Sequence, residues 1–204
     1  MSRIFYIIGK SAAGKDKIYE SLFEKNPFGF KKLILYTTRP IRAGEENGRE
    51  YHFVTEEELD EFRRKGLIIE ERTYQTIAGP WTYATVDDGS FTSDKGPYLG
   101  IGTLESYNQM LAYFRKTTSE NAESPQLIPL YIEVSDRTRL ERSIKRESKQ
   151  AEPNYQEVCR RFLADSEDFS EDKIVSAGIT KRFLNEGELA DCLAEVEEFI
   201  QSML

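Results

Sequence analysis

Histidine and cysteine are scarce in this chain of 204 residues, which has one His and two Cys. The single imidazole, His52, sits between Tyr51 and Phe53 with no serine or cysteine motif nearby. Histidine-based nucleophilic catalysis therefore lacks a constellation, and a structural or surface place is expected for it. Cys159 and Cys192 fall in helical patterns, which argues against a disulfide scaffold and predicts reduced, buried thiols. Cys/His metal-ligand spacings are missing as well. Basic charge is outweighed, 28 Lys and Arg against 36 Asp and Glu for a net charge of -8. That balance speaks against general affinity for nucleic acid or an anionic membrane surface. No apolar run approaches the ~20 residues that span a bilayer. The opening MSRIFYIIGK holds no long apolar stretch either, so the cytoplasm is the default compartment. The only tryptophan, Trp81, is expected in packing.

What is present suits one folded domain: 39% hydrophobic and 12% aromatic residues, enough for a sizeable core. Arg3 to Ile8 is a β-rich apolar run, and KDKIYESLFEK from Lys15 places Ile18, Leu22 and Phe23 on one helical face. KKLILY (31–36) reads as a second strand. PYLGIG (97–102) and LIPLYIEV (127–134) are continuous apolar runs, as in parallel strands covered on both faces. Each precedes a helical pattern, capped by Thr103 in the first case and by Ser135 or Asp136 in the second. Alternating strands and helices predict an α/β fold with a mostly parallel sheet flanked by helices.

The stretch from Arg39 to Asp88 breaks that rhythm. It holds turn-rich RAGEENGRE, a helix with a Thr55–Glu58 capping box stopped at Gly66, and strand-like LIIEER, and it reads as a small inserted lobe. KRESKQAEPN (145–154) separates two helices and reads as a lid hinge. KTTSENAESPQ (116–126) reads as a surface loop.

The first chemical motif is IIGKSAAGKDK. Gly9, Gly14 and Lys15 match a phosphate-binding loop, and its strand–loop–helix context lets backbone N–H groups and the helix dipole meet phosphates. The segment Gly9, Ser11, Ala12, Ala13, Gly14, Lys15, Asp16 and Lys17 would thus hold a nucleotide, with Lys15 reaching its terminal phosphates. The usual Ser or Thr after the lysine is Asp16 here. The second motif is YTTRPIRAGEENGREYHF (36–53), where Arg39, Arg42 and Tyr51 can converge on a phosphate. Alternatively they form an exposed basic loop balanced by Glu45, Glu46 and Glu50. Glu70, in the run Glu70, Glu71, Arg72, is by pattern alone an ordinary solvated charge.

TTRPIRAGEENGREYHF resembles the nucleoside-monophosphate segment of the guanylate kinase family. Thr37, Thr38, Arg39, Arg42, Gly44, Glu45, Gly48, Tyr51 and Phe53 meet every fixed position of that pattern. GLIIEE and WTYAT are similar to further family segments. The resemblance makes Glu70 the guanine-reading carboxylate, Thr85 and Tyr36 neighbours of the base, and Tyr83 a phosphate ligand beside Arg39, Arg42 and Tyr51. RSIKRE, CRRFLADSEDF and RFLNEGEL resemble the lid and last strand, which implies phosphate-facing Arg142, Arg146 and Arg161 and an adenine neighbour at Asn185.

The implied protein is a phosphate-loop kinase with core 1–36, 89–144 and 168–204, acceptor lobe 37–88 and lid 145–167. It would move a phosphoryl group from ATP with Mg²⁺ to GMP or dGMP, as a monomer or homodimer. Lys15, Arg142, Arg146 and Arg161 would carry the transfer. Departures from the pattern stand at Gly100 and Gly102, where the family has two aspartates, at Tyr36 in place of Ser, and at Ala84 in place of Gly. Asp16 and Gly100 read as two halves of one change, the carboxylate that supports Mg²⁺ having moved from the strand end to the loop. Two other readings remain open: a guanylate-kinase-like binding domain without turnover, and a kinase for a different phosphorylated acceptor.

Overall fold

The structure, a computed structural model, describes residues 2–76, 79–93, 96–120 and 125–204. In chain order the elements are β1 Arg3–Ile8, α1 Lys15–Lys25, β2 Lys31–Lys32, β3 Tyr36–Thr37, β4 His52–Phe53, α2 Glu56–Arg64, β5 Ile68–Thr76 and β6 Gly79–Val86. There follow α3 Ser90–Ser93, β7 Pro97–Gly102, α4 Leu104–Glu120, β8 Gln126–Glu133, α5 Asp136–Glu147, α6 Tyr155–Asp168, α7 Glu171–Ser176, β9 Arg182–Leu184 and α8 Leu189–Met203. The class is mixed α/β with a mostly parallel central sheet flanked by helices. That sheet runs β2-β7-β1-β8-β9, with β8 and β9 parallel. A second sheet runs β4-β3-β6-β5, with β3–β6 and β5–β6 antiparallel.

The chain forms two compact units, Met1–Ile4 with Lys31–Tyr98 and Asn108–Leu127, and Phe5–Phe30 with Leu99–Tyr107 and Ile128–Leu204. The core of the second unit is built from Phe5, Ile7, Leu99, Leu130 and Ile132 of the strands, Ile18 and Leu22 of α1, and Cys192, Val196 and Ile200 of α8. The helical members named recur at four-residue spacings, one stripe per helix. Complete burial of each such aliphatic side chain contributes about 1.5–3 kcal/mol. The first unit has a smaller core of Leu59, Ala84 and Val86, with Tyr36, Val54, Phe62, Leu67 and Ile68 packed around it.

Local sequence signals explain most boundaries. The Thr55–Glu58 capping box is formed in both directions, and Gly66 follows α2 in the left-handed region. Thr103 Oγ1 accepts the Ser106 N–H, and Ser135 caps α5 through the Thr138 N–H.

Three expectations are corrected. KKLILY is not one strand: Lys31–Lys32 join the five-stranded sheet and Tyr36–Thr37 the four-stranded one. The carbonyl of Leu35 between them accepts the His52 N–H. An apolar run shows that residues are to be buried, not against which sheet. Residues 116–120 are helical rather than loop, because α4 meets no breaker and Thr117 folds its hydroxyl back onto the carbonyls of Tyr113 and Phe114. Residues 121–124 of that expected loop lie outside the described residues. Cys159 is exposed, on the outer face of α6, whereas Cys192 is buried as expected.

Candidate active site

In the second unit, β1 delivers the chain into the glycine loop and α1 carries it away. Gly14, at the start of α1, has φ 92°, and a Cβ there would lie 2.4 Å from Asn185 Nδ2, so only glycine fits. Asn185, 3% exposed, donates from Nδ2 to the Ala13 carbonyl at 2.7 Å, and its own N–H donates to the Glu133 carbonyl. The residue after β9 thus braces the loop from behind. Its Oδ1 is buried without a hydrogen-bond partner among the described residues. Ala12 holds φ 64° without being glycine. The Ala13 N–H returns to the Lys10 carbonyl, and the Ser11 N–H donates to Asp165 Oδ2 at 2.8 Å. Lys15 Nζ lies 4.0 Å from Asp16 Oδ2, and the Asp16 side chain is 74% exposed. Lys17 is exposed beside it.

Helices α5 and α6 enclose a cavity of about 120 Å³, lined by Ser11, Arg139, Ser143, Arg146, Glu147, Glu157 and Arg161 with Val158 and Phe162. That is roughly the liquid volume of four waters, enough for one phosphate-sized group. Arg146 and Arg161 therefore share a wall, but Arg142 does not, its Nη2 donating instead to the Asn185 carbonyl at 2.8 Å. Arg161 is ion-paired with Glu157 on its own helix, as is Arg160. Hydrogen bonds from Arg160 and Arg161 hold the Glu157 carboxyl down at about 2.

Arg139, which sequence reasoning missed, is the arginine most deeply placed, 1% exposed. It pairs with Asp136 at 2.8 Å and lies 3.6 Å from Asp165, donates to Ser166 Oγ, and stacks over Phe162. A signal was available in its spacing, because Arg139, Ser143 and Arg146 fall at i, i+4 and i+7, a polar face turned inward.

In the first unit several of the residues expected to hold the acceptor lie on the small sheet. Glu70 faces Thr85 across β5–β6, and Arg72 faces Tyr83 one repeat further along. Glu70 is 1% exposed, so the reading of an ordinary solvated charge is overturned. Thr85 Oγ1 donates to its Oε1 at 2.8 Å and Arg72 Nε to its Oε2 at 3.1 Å. A buried carboxylate needs such partners, because its desolvation is otherwise prohibitive. Arg72 was not singled out from the sequence, since a charge beside two glutamates looks solvated.

Arg39 is 3% exposed and forks bidentately onto Glu45 at 2.7 and 3.1 Å, which raises its pKa further. Arg39 is thus neither an exposed basic loop nor an unengaged guanidinium. Its fork ties the turn together while its face lies over Tyr51 at 5.3 Å. Tyr51 meets Tyr83 edge to face, and exposed Arg42 reaches over Trp81. Tyr36 stacks on His52 at 4.6 Å and donates to Asp88. Burial, then the Asp88 charge, push its phenol up to about 12, so it remains a donor at neutral pH. His52 fills the structural place expected of it.

Among the described residues, no helix is long and apolar enough to cross a membrane, and no group of three or more His, Cys, Asp or Glu is placed to hold a metal.

Comparison with known proteins bears on both units unequally. Residues 1–87 match the guanylate kinase family model. The guanylate kinase of Vibrio vulnificus (strain YJ016) is 32% identical over 91 residues, 42% of this chain and 44% of that one. The guanylate kinase of Vibrio cholerae serotype O1 is 37% identical over the same length and coverage. The matches thus span under half the length of these curated relatives. The family match takes in the glycine loop and the small sheet but not Arg139, Arg142, Arg146, Arg161 or Asn185. The crystal structure of guanylate kinase from Anaplasma phagocytophilum superposes with a TM-score of 0.57 at 16% identity, covering 99% of this chain and 86% of that one. At that identity the likeness concerns the fold. Residues 1–87 are therefore similar to the guanylate kinase family, and the chain as a whole has the guanylate kinase fold.

Proposed function

We propose that this protein transfers the γ-phosphoryl group of ATP to GMP or dGMP, giving ADP and the nucleoside diphosphate, in the cytoplasm. The observation that carries the reading is Glu70, a carboxylate buried on the same strand-pair face as Tyr83, one register step away. Two residues along a strand are about 7 Å, room for a sugar between a base held at Glu70 and Thr85 and a phosphate held near Tyr83, Tyr51, Arg39 and Arg42. Guanine presents adjacent N1–H and 2-amino donors, which one carboxylate can accept together.

On the donor side, backbone amides of the glycine loop and the N-terminus of α1 would bind the triphosphate, Lys15 would meet its terminal phosphates, and Asn185 Oδ1 would accept from the adenine amino group. Arg146 and Arg161 would balance charge as it develops on the moving group, with Arg142 bracing the loop behind them. Exclusion of water by the lid would protect ATP from hydrolysis.

The donor set suits magnesium. That ion takes one or two carboxylates and completes its shell with phosphate oxygens and waters, and Asp16 offers one exposed carboxylate beside Lys15. When bound, the ion would supply neutralisation of phosphate charge. Without it Asp16 would oppose ATP, since like charges ~4 Å apart repel by about 4 kcal/mol at an effective dielectric near 20. Asp16→Asn is therefore expected to raise the magnesium concentration for half-maximal turnover about tenfold while leaving the KM for GMP unchanged. A magnesium titration of initial rates checks this, and an unaltered titration removes Asp16 from the metal site.

One observation favours a second reading, a different phosphorylated acceptor: Arg72 already donates to Glu70, so part of the carboxylate's accepting capacity is used. A coupled assay of ADP formation with GMP, dGMP, AMP, CMP, UMP and dTMP tests both. Turnover with GMP or dGMP at least a hundredfold above the others supports the first, and preference for another acceptor supports the second.

A further inference from the structure

Arg139 belongs to no pattern read from the sequence, and Asp165 lies in CRRFLADSEDF paired there with Arg161; the structure links Asp165 to the glycine loop and Arg139 to Asp165. Arg139 is held from several sides: Asp136 on its own helix, the Phe162 carbonyl and Ser166 hydroxyl of α6, and the Phe162 ring at 3.6 Å. It has little freedom left, and its remaining edge faces Asp165 Oδ2. That same oxygen accepts the Ser11 N–H at 2.8 Å. The next residue, Ala12, holds the left-handed conformation that L-residues with a Cβ disfavour, at φ 64°. A strained residue persists only where its surroundings over-determine it. Here the amide before it is pinned by Asp165 and the amide after it by the Lys10 carbonyl.

We propose that Asp165, oriented by Arg139, is a positioning residue for the phosphate loop, pinning Ser11 so that Ala12 keeps the turn in which the loop can receive a triphosphate. The inference rests on the reading of this loop as an ATP site. It makes α6 a brace of the loop as well as a wall of the neighbouring cavity. Glycine at position 12 would adopt the turn without that brace.

The test uses the full chain with Asp165→Asn, Arg139→Lys, and Asp165→Asn combined with Ala12→Gly. Calorimetry measures magnesium ATP, inorganic triphosphate and GMP, and NMR measures amide exchange at Ser11. Asp165→Asn is expected to weaken ATP and triphosphate about tenfold, leave GMP unchanged and speed exchange at Ser11. Arg139→Lys, which keeps the charge but not the planar fork, should give a smaller loss of the same kind. Adding Ala12→Gly should restore most of the lost affinity, which a general loss of stability would not allow. Unchanged or tighter ATP binding in Asp165→Asn overturns the proposal, the carboxylate then being a competitor of phosphate. Equal losses for ATP and GMP without rescue by Ala12→Gly overturn it too. Should the unaltered protein bind neither ATP nor triphosphate, the functional reading fails, and Ser11 exchange still decides whether Asp165 pins the loop.

Discussion

Glu70→Gln should lower kcat/KM for GMP by about 10²–10⁴, while the KM for ATP stays within about twofold. The substitution keeps the shape of the side chain and replaces one acceptor by a donor. A guanine edge with two adjacent N–H donors then meets an NH₂ group where it needs an oxygen, and a buried donor is left unmatched. Thr85 can still donate to the remaining oxygen, so the sheet register of β5 and β6 should survive. Arg72, whose side chain is 13% exposed, loses the anion that justifies its burial, and some stability should go with it. Adding Arg72→Met should recover that stability without recovering GMP turnover, which separates the structural share from the recognition share. Steady-state kinetics and thermal unfolding of the single and double variants check both. GMP turnover within threefold of the unaltered protein would remove Glu70 from base recognition.

Gly102→Asp, which restores one of the two carboxylates that guanylate-kinase resemblance leads one to expect after β7, should destabilise the protein by about 3 kcal/mol or more. A Cβ at this position would lie 2.1 Å from the Tyr6 hydroxyl, 2.8 Å from Tyr6 Cζ and 2.6 Å from Ser106 Oγ. Tyr6 is completely buried and cannot swing out. Its hydroxyl bonds Ser106 Oγ at 2.9 Å, and Ser106 in turn exchanges hydrogen bonds with Thr103 at the start of α4. A side chain at 102 therefore strikes a buried aromatic and a helix cap together. Urea denaturation measures the loss. Combination with Tyr6→Leu should return a substantial part of it, and a midpoint unchanged in Gly102→Asp alone would show that the strand end yields more easily than its packing indicates.

The two substitutions divide what could be read from one dimension from what could not. The strand–glycine loop–helix order, the Thr55–Glu58 capping box and the apolar runs of β1, β7 and β8 are local or periodic, and each part of the signal lies within a dozen residues. The boundaries of α1 and β7 accordingly agree with the sequence reading to the residue. The division of KKLILY between two sheets was not legible, because hydrophobicity marks burial without naming a partner. The segment 36–53 was recognisable by its resemblance to a family pattern, but that resemblance could not disclose that Glu45 engages Arg39 or that Arg72 engages Glu70.

By itself the sequence determined an α/β chain with a glycine loop, a segment resembling a nucleoside-monophosphate site and an Asp16 unlike the usual residue there, since those features depend on neighbours along the backbone. Tertiary structure alone decided that Tyr6 fills the space beside Gly102, that Asn185 braces Ala13 from 172 residues away, and that Asp165 reaches Ser11 across 154. These pairs are matched by distance and hydrogen-bonding capacity after folding, and no local propensity encodes such a match.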